Sequence, residues 1–143
     1  MKEPTVLLVD NGSRRPDATL SLRRIAADLG SGVGCQVFPV SLLHSDRIPA
    51  SELGGRPADL FAPFLRRQIE QGQRNFIVLP LFFGPSRALS AFIPEQVVAL
   101  TEEFGAFRLE QADVLCPLPD GEPRLADILA DHVAQAGTGA ERV

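Results

Sequence analysis

The chain reads as one α/β domain: a four-stranded parallel sheet with helices on both faces. Three observations predict this. Thr5–Asp10 and the run from Phe76 to Pro85 are near-continuous apolar segments, the pattern of strands covered on both sides. Between such runs, apolar residues recur at helical spacing. The resulting order, strand and helix alternating four times, requires parallel strands joined by right-handed crossovers. At 143 residues the chain has the length of one domain and can bury a sizeable core.

The elements follow in order. Thr5–Asp10 is the first strand. Asp17–Leu29 is the first helix, with Ala18, Leu22, Ile25, Ala26 and Leu29 on one stripe, Pro16 and Asp17 starting it and Gly30 stopping it. Val33–Leu43 contains the second strand. Ser45–Pro57 is rich in Pro, Gly and charge and longer than the usual connection, which counts mildly towards a site. Asp59–Gln71 is the second helix, its Pro63 still inside the first turn where a missing amide hydrogen does little harm. Asn75–Phe83 is the third strand, and Pro94–Phe104 the third helix, with Val97, Val98 and Leu100 inward. Phe107–Leu115 is the fourth strand, with Arg108, Glu110 and Asp113 marking a wet face. Pro123–Ala136 is the last helix, on the stripe Leu125, Ile128, Leu129 and Val133. The domain is expected to span residues 1–137, with 138–143 a flexible tail, and no internal repeat is visible.

Composition removes several function classes. A net charge of −4 offers no basic excess to displace counterions from nucleic-acid phosphates. No apolar run approaches the ~20 residues needed to span a bilayer. A strand begins almost at the amino terminus, leaving no room for a signal peptide, so the cytoplasm is the expected location. Cys35 and Cys116 have no metal-ligand spacing. A parallel sheet would hold them about 20 Å apart, too far for a disulfide. Both are expected to be small buried apolar residues.

Ligands of open α/β sheets bind at the carboxyl ends of the strands. Two segments place polar residues there. The first is Leu7-Leu8-Val9-Asp10-Asn11-Gly12-Ser13-Arg14, a strand running into a Gly-Ser-Arg turn before a helix. Gly12 permits a tight turn, Ser13 offers a hydroxyl and an amide near a helix start, and Arg14 or Arg15 can clamp a carboxylate. The second is Ile77-Val78-Leu79-Pro80-Leu81-Phe82-Phe83-Gly84-Pro85-Ser86-Arg87, where Ser86 and Arg87 repeat that arrangement ahead of Phe92-Ile93-Pro94. Taken alone, Gly12-Ser13 is as well explained by a turn and a helix cap.

Together these segments resemble the small class II chelatases, which insert cobalt, iron or nickel into sirohydrochlorin-type tetrapyrroles. Cys116-Pro117-Leu118, followed by Pro123-Arg124-Leu125-Ala126, is similar to that family's Pro-Leu-Gly turn and last helix. The resemblance covers most of the chain and implies a flavodoxin-like chelatase fold, a homodimer, and a macrocycle fringed with carboxylates as the small-molecule partner. It places the protein in cobalamin or sirohaem biosynthesis, where the family activity is that of a metal-inserting lyase. A divalent metal (Co, Fe or Ni) would be a substrate, and no resident cofactor is implied.

The departures from that pattern bear on activity. The family's first turn reads Gly-His-Gly-Ser-Arg, and its second loop carries a His four residues before Asp-Ile-Pro. Here Asp10 and Asn11 precede Gly12, Ala88 stands at the second His position, and Phe92 replaces the Asp. Insertion needs a group that holds the cation and takes up pyrrole protons, both within the reach of a neutral imidazole. Asn11 is a weak, hard oxygen donor, and Ala88 can do neither. Substitutes exist nearby. His44, with Asp46 two residues on, lies at the expected carboxyl end of the second strand, and Asp10 could bind a cation or cap its own turn. His132 falls beside the last helix's apolar stripe and suits a partly buried structural role. Arg23-Arg24 and Arg66-Arg67 are expected to be solvated helix faces.

Three functions remain. The first expectation is a tetrapyrrole- or metal-binding protein of chelatase type with a degenerate catalytic site, a carrier, chaperone or regulatory subunit. The alternative is an active chelatase in which His44, Asp10 or a partner subunit replaces the histidines. The third is an αβ interaction domain without a ligand.

Overall fold

The computed structural model describes residues 3–115. The expectations for Cys116, Pro123–Ala136, His132 and the tail lie outside the described residues.

Strands β1 (Thr5–Asp10), β2 (Val37–Ser41), β3 (Asn75–Pro80) and β4 (Arg108–Gln111) form one sheet in the order β2-β1-β3-β4. All pairs are parallel, with Val9 opposite both Val40 and Pro80. Helices α1 (Pro16–Val33), α2 (Phe61–Glu70) and α3 (Ile93–Phe104) supply the crossovers. The α/β class, the parallel sheet and the single small domain are as the sequence predicts.

Side-chain alternation along the strands divides the core in two. Leu7, Val9, Val40, Phe76 and Val78 face α2 and α3, packing with Phe61, Phe64, Leu65, Ile93 and Leu100. The opposite face joins Leu8 and Val37 to Leu22 and Ala26 of α1. The edges are blunted differently. In β2, Pro39 removes a backbone donor, and the Ser41 N–H bonds the Asp59 carbonyl at 2.9 Å, closing the strand end against the following segment. On β4, Arg108 and Glu110 pair at the surface, consistent with its expected wet face.

Several local expectations are corrected. Gly30 does not stop α1. It is buried inside the helix, which runs on to a left-handed Gly34 at φ 76 whose N–H bonds the Gly30 carbonyl at 2.8 Å. Gly30 is instead demanded by close approach, because a Cβ there would lie 2.6 Å from the Cys35 carbonyl oxygen. Cys35 is an exposed free thiol two residues before β2, not a buried one. Ile25 (41% exposed) and Val98 (58%) face outward, since one helix face can satisfy only the sheet beneath it. Strand β4 is shorter than expected, its regular pairing ending at Gln111.

Arg23 is not a solvated residue. Its guanidinium donates to the carbonyls of Leu53 (2.8 Å), Arg56 (2.7 Å) and Pro57 (3.3 Å), tying α1 to the long second connection. Partial burial, and then the neighbouring Arg56, lower its pKa from the ordinary arginine value. That connection is not structureless, since it forms two 3₁₀ turns, Ser45–Arg47 and Ala50–Leu53. Arg66 and Arg67 form surface ion pairs with Glu103 and Asp59.

The two glycines near the end of α1 should respond oppositely to the same substitution. Gly32 has nothing within 4 Å of a built Cβ, so Gly32→Ala should stabilise by up to about 1 kcal/mol through helix propensity. Gly30→Ala must displace backbone and should destabilise by about 1–3 kcal/mol. Urea unfolding of both variants reads the sign directly.

Candidate functional site at the strand carboxyl ends

Strands β1 and β3 are adjacent at the centre of the sheet, so the two chelatase-like segments emerge side by side at its carboxyl end. The loop after β2 flanks them, and three loops therefore share that end.

The loop after β1 is locked to the loop after β2 by backbone and polar contacts. Gly12 has φ 95, and a Cβ there would lie 1.7 Å from the Leu43 carbonyl oxygen, so no other residue fits this turn. Leu42 N–H bonds the Asp10 carbonyl at 2.9 Å, and Leu43 N–H bonds the Asn11 carbonyl at 3.1 Å. Ser41 Oγ donates to Asp10 Oδ1 at 2.6 Å. The Ser13 N–H reaches the Oγ of Ser45, which is 1% exposed, at 3.2 Å. Asp10 thus caps its own turn and anchors β2. Burial pushes its pKa up from the ordinary carboxylate value, opposed by hydrogen bonds from Ser41 and the Gly12 backbone.

The serines repeat one another. Ser13 Oγ accepts the Arg15 N–H at 3.0 Å, and Ser86 Oγ accepts the Ala88 N–H at 3.2 Å. Each hydroxyl therefore closes a turn two residues on. Because the Ser13 amide is also engaged, anion binding at this end falls to the arginines. Ser41 and Ser45, which hold the loop, were not among the sequence candidates. Their signal was there to read, as polar residues inside the apolar run Val40–Leu43 and just past it.

Arginine placement separates structural cations from displayed ones. Arg66, Arg67 and Arg108 have carboxylate partners, while Arg23 and Arg74 hold backbone carbonyls. Arg14, Arg15, Arg47 and Arg87 are exposed, and among the described residues no ion-pair or hydrogen-bond partner engages their guanidinium groups, as is also true of Arg24 on α1 and Arg56 farther along the second connection. The first four lie in the loops at the carboxyl end. In a chain of net charge −4, this end is locally cationic.

Asn11, Ala88 and Phe92, the positions that the resemblance sets against the chelatase histidines and aspartate, differ in their surroundings. Asn11 remains exposed on the first loop. Ala88 and Phe92 begin and end a π-helical turn, Ala88–Phe92, that leads into α3. Both are half-buried and pack against the main core. Phe92 thus presents an apolar ring to the interior where a carboxylate would need water or a cation. His44 is exposed and held at φ 73, a backbone conformation uncommon for a residue other than glycine. Asp46 follows in the same turn. Among the described residues, no group of three or more His, Cys, Asp or Glu side chains is placed to hold a metal ion.

Two cavities flank these loops. One of about 370 Å³ lies between Ser86, Leu89 and Ser90 on one side and Gln111–Val114 on the other. The larger, about 810 Å³, runs along the β2 edge between α1 and the Arg56–Asp59 segment. Arg23 in its wall is directed at three carbonyls and ties α1 to the second connection, so the size of this cavity alone does not make it the site.

A scan against protein-family models finds no match, and neither does a search of curated proteins. Among solved structures, the α/β architecture is shared with a candidate cobalamin (vitamin B12) biosynthesis CbiX protein from Marinobacter aquaeolei VT8. The two are 18% identical, with a TM-score of 0.65, over 98% of this chain and 99% of that one. The likeness is one of fold. No helix among the described residues is long and apolar enough to cross a membrane.

The raised pKa of Asp10 has a definite sign in stability. The folded state holds its proton to higher pH than the unfolded chain does, so the contribution is full below the ordinary aspartate pKa and is lost as pH rises through the folded value. The stability of wild type relative to Asp10→Asn should therefore fall as pH rises from below the ordinary aspartate pKa through the raised folded value, as read from urea unfolding in buffered series. A difference that grows with pH would reverse the assignment.

Proposed function

We propose that this protein binds a carboxylate-fringed tetrapyrrole of sirohydrochlorin type at the strand carboxyl ends and does not accelerate metal insertion into it. The observation that carries this reading is that Arg14, Arg15, Arg47 and Arg87, on loops emerging around β1, have no partner among the described residues and stand near positions that lack imidazole. Arg14 and Arg87 supply guanidinium groups to rim carboxylates, with Arg15 beside Arg14. Gly12, Ser13 and Ser86 shape the turns that present them. The fold shared with a CbiX protein supports the chelatase connection. A place in cobalamin or sirohaem biosynthesis, a homodimeric state and a cytoplasmic location belong to the same proposal.

Insertion chemistry is weakly provided for. Asn11 cannot usefully accept a pyrrole proton, and Ala88 has no donor atom. Asp10, a candidate in the alternative of an active chelatase, is bound to Ser41 and the Gly12 turn. Among the described residues, His44 is the remaining imidazole on this end, and a partner subunit is the other source the alternative allows. Cobalt or nickel as substrate would prefer several borderline nitrogen ligands.

Two measurements test the reading. Absorbance-monitored titration should show sirohydrochlorin binding that weakens by about 1.5–3 kcal/mol in Arg14→Ala or Arg87→Ala, without faster metallation by wild type. Asn11→His combined with Ala88→His should create some insertion activity. Robust turnover by wild type would show that another base exists. Calorimetry should also find cobalt and nickel dissociation constants weaker than about 1 µM for the isolated protein. Tighter binding abolished by His44→Ala would favour the alternative.

A further inference from the structure

The carboxyl end displays apolar side chains as well as cations. Phe83 is 67% exposed and Leu43 is 40% exposed, although large apolar side chains elsewhere in these loops turn inward. Phe82, beside Phe83, packs against the main core. Both displayed residues stand on fixed backbone. The root of the Phe83 loop is pinned on two sides, by Leu81 N–H to the Val9 carbonyl at 2.7 Å and by Leu115 N–H to the Phe82 carbonyl at 2.9 Å. Leu43 is fixed by its bond to Asn11 and by the Gly12 turn against its carbonyl. With the backbone anchored, contact with a ligand has chiefly the side-chain torsions left to order, which lowers the cost of binding.

The two outer loops follow one plan. Leu43 is followed four residues later by Arg47, and Phe83 four residues later by Arg87. Arg14 and Arg15 rise on the loop between them. Since β1 separates β2 from β3, the roots of the two apolar loops lie about 10 Å apart, two interstrand spacings. A surface with apolar groups on either side of a central turn, and exposed arginines on the same loops, complements a flat apolar body with anions on its rim.

We propose that Phe83 and Leu43 are the apolar contacts for the face of the macrocycle and that Arg47 is a third anchor for its rim carboxylates. This rests on the tetrapyrrole reading above and adds what makes the site selective. The apolar pair distinguishes a planar conjugated ring from any other polycarboxylate, while the arginines respond to both. Aromatic contact with a ring face favours offset stacking, which Phe83 can provide and an aliphatic side chain of similar size cannot.

The experiment compares sirohydrochlorin with a polyglutamate peptide, which offers carboxylates without a ring, by titration against the full-length protein at several salt concentrations. Phe83→Ala should weaken sirohydrochlorin binding about tenfold and leave polyglutamate binding unchanged. Phe83→Tyr should restore wild-type affinity, and Leu43→Ala should give a smaller, ring-specific loss. Arg47→Ala should weaken both probes and flatten the decline of affinity with salt. Sirohydrochlorin binding that is insensitive to Phe83→Ala and Leu43→Ala overturns this inference and leaves the tetrapyrrole reading standing. Equal loss of both probes in Phe83→Ala also overturns it, because the ring would then serve only loop structure. Absence of sirohydrochlorin binding by wild type removes the reading itself and this inference with it.

Discussion

The backbone of Gly12 lies against the Leu43 carbonyl, and the shape of the sheet's carboxyl end depends on that approach. A Cβ at Gly12 would sit 1.7 Å from the carbonyl oxygen, so the turn exists only with glycine. The contact holds the β1 and β2 loops together, and the Asp10–Ser41 and Ser13–Ser45 hydrogen bonds secure it on either side. Leu43 is thereby fixed at the surface. His44, next in the chain, is left at positive φ, and a cost of order 1–3 kcal/mol for such a conformation is borne by the surrounding contacts. Anchored loops are the condition for a ligand surface with low ordering cost.

Charge and hydrophobicity then divide between two populations of residue. Arg23, Arg66, Arg67 and Arg74 are committed to carboxylates or carbonyls and act within the fold. Among the described residues, Arg14, Arg15, Arg47 and Arg87 on the carboxyl-end loops have no such partner. At the second loop, Ala88 and Phe92 have been drawn towards the core through a π-helical turn. Such turns are rare and concentrate at functional sites. Here the turn carries the positions where chelatases place an imidazole and a carboxylate, and it fills them with apolar side chains. On the proposed reading, loops that display guanidinium groups but carry Asn11 and Ala88 where the chelatases carry imidazoles suit holding a macrocycle better than metallating one.

Much of the fold was legible because its signals are local. The apolar run Thr5–Asp10 matches β1 residue for residue, and Pro94 falls in the first turn of α3. Gly30 misled because a helix-stopping glycine and a close-packing glycine look identical in sequence, and only the nearby Cys35 carbonyl distinguishes them. Arg23 misled for a related reason. Its carbonyl partners lie 30 or more residues away, at Leu53, Arg56 and Pro57, where no helical periodicity points. At the candidate site, Gly12, Ser13, Arg14, Ser86 and Arg87 were visible as motifs. The commitment of Asp10 to Ser41, the buried Ser45, and the display of Leu43, Arg47 and Phe83 depend on how three loops meet. That meeting is set by the strand order β2-β1-β3, which the sequence pattern does not encode directly.

The central claim is that a tetrapyrrole binds where these three loops meet. Backbone amide NMR during titration with sirohydrochlorin tests it most directly. The account predicts shifts concentrated in Asn11–Arg15, Leu43–Arg47 and Phe83–Arg87, with the groove between α1 and the Arg56–Asp59 segment unchanged. Shifts confined to that groove, at residues such as Ala27, Ser31 and Arg56, would contradict it.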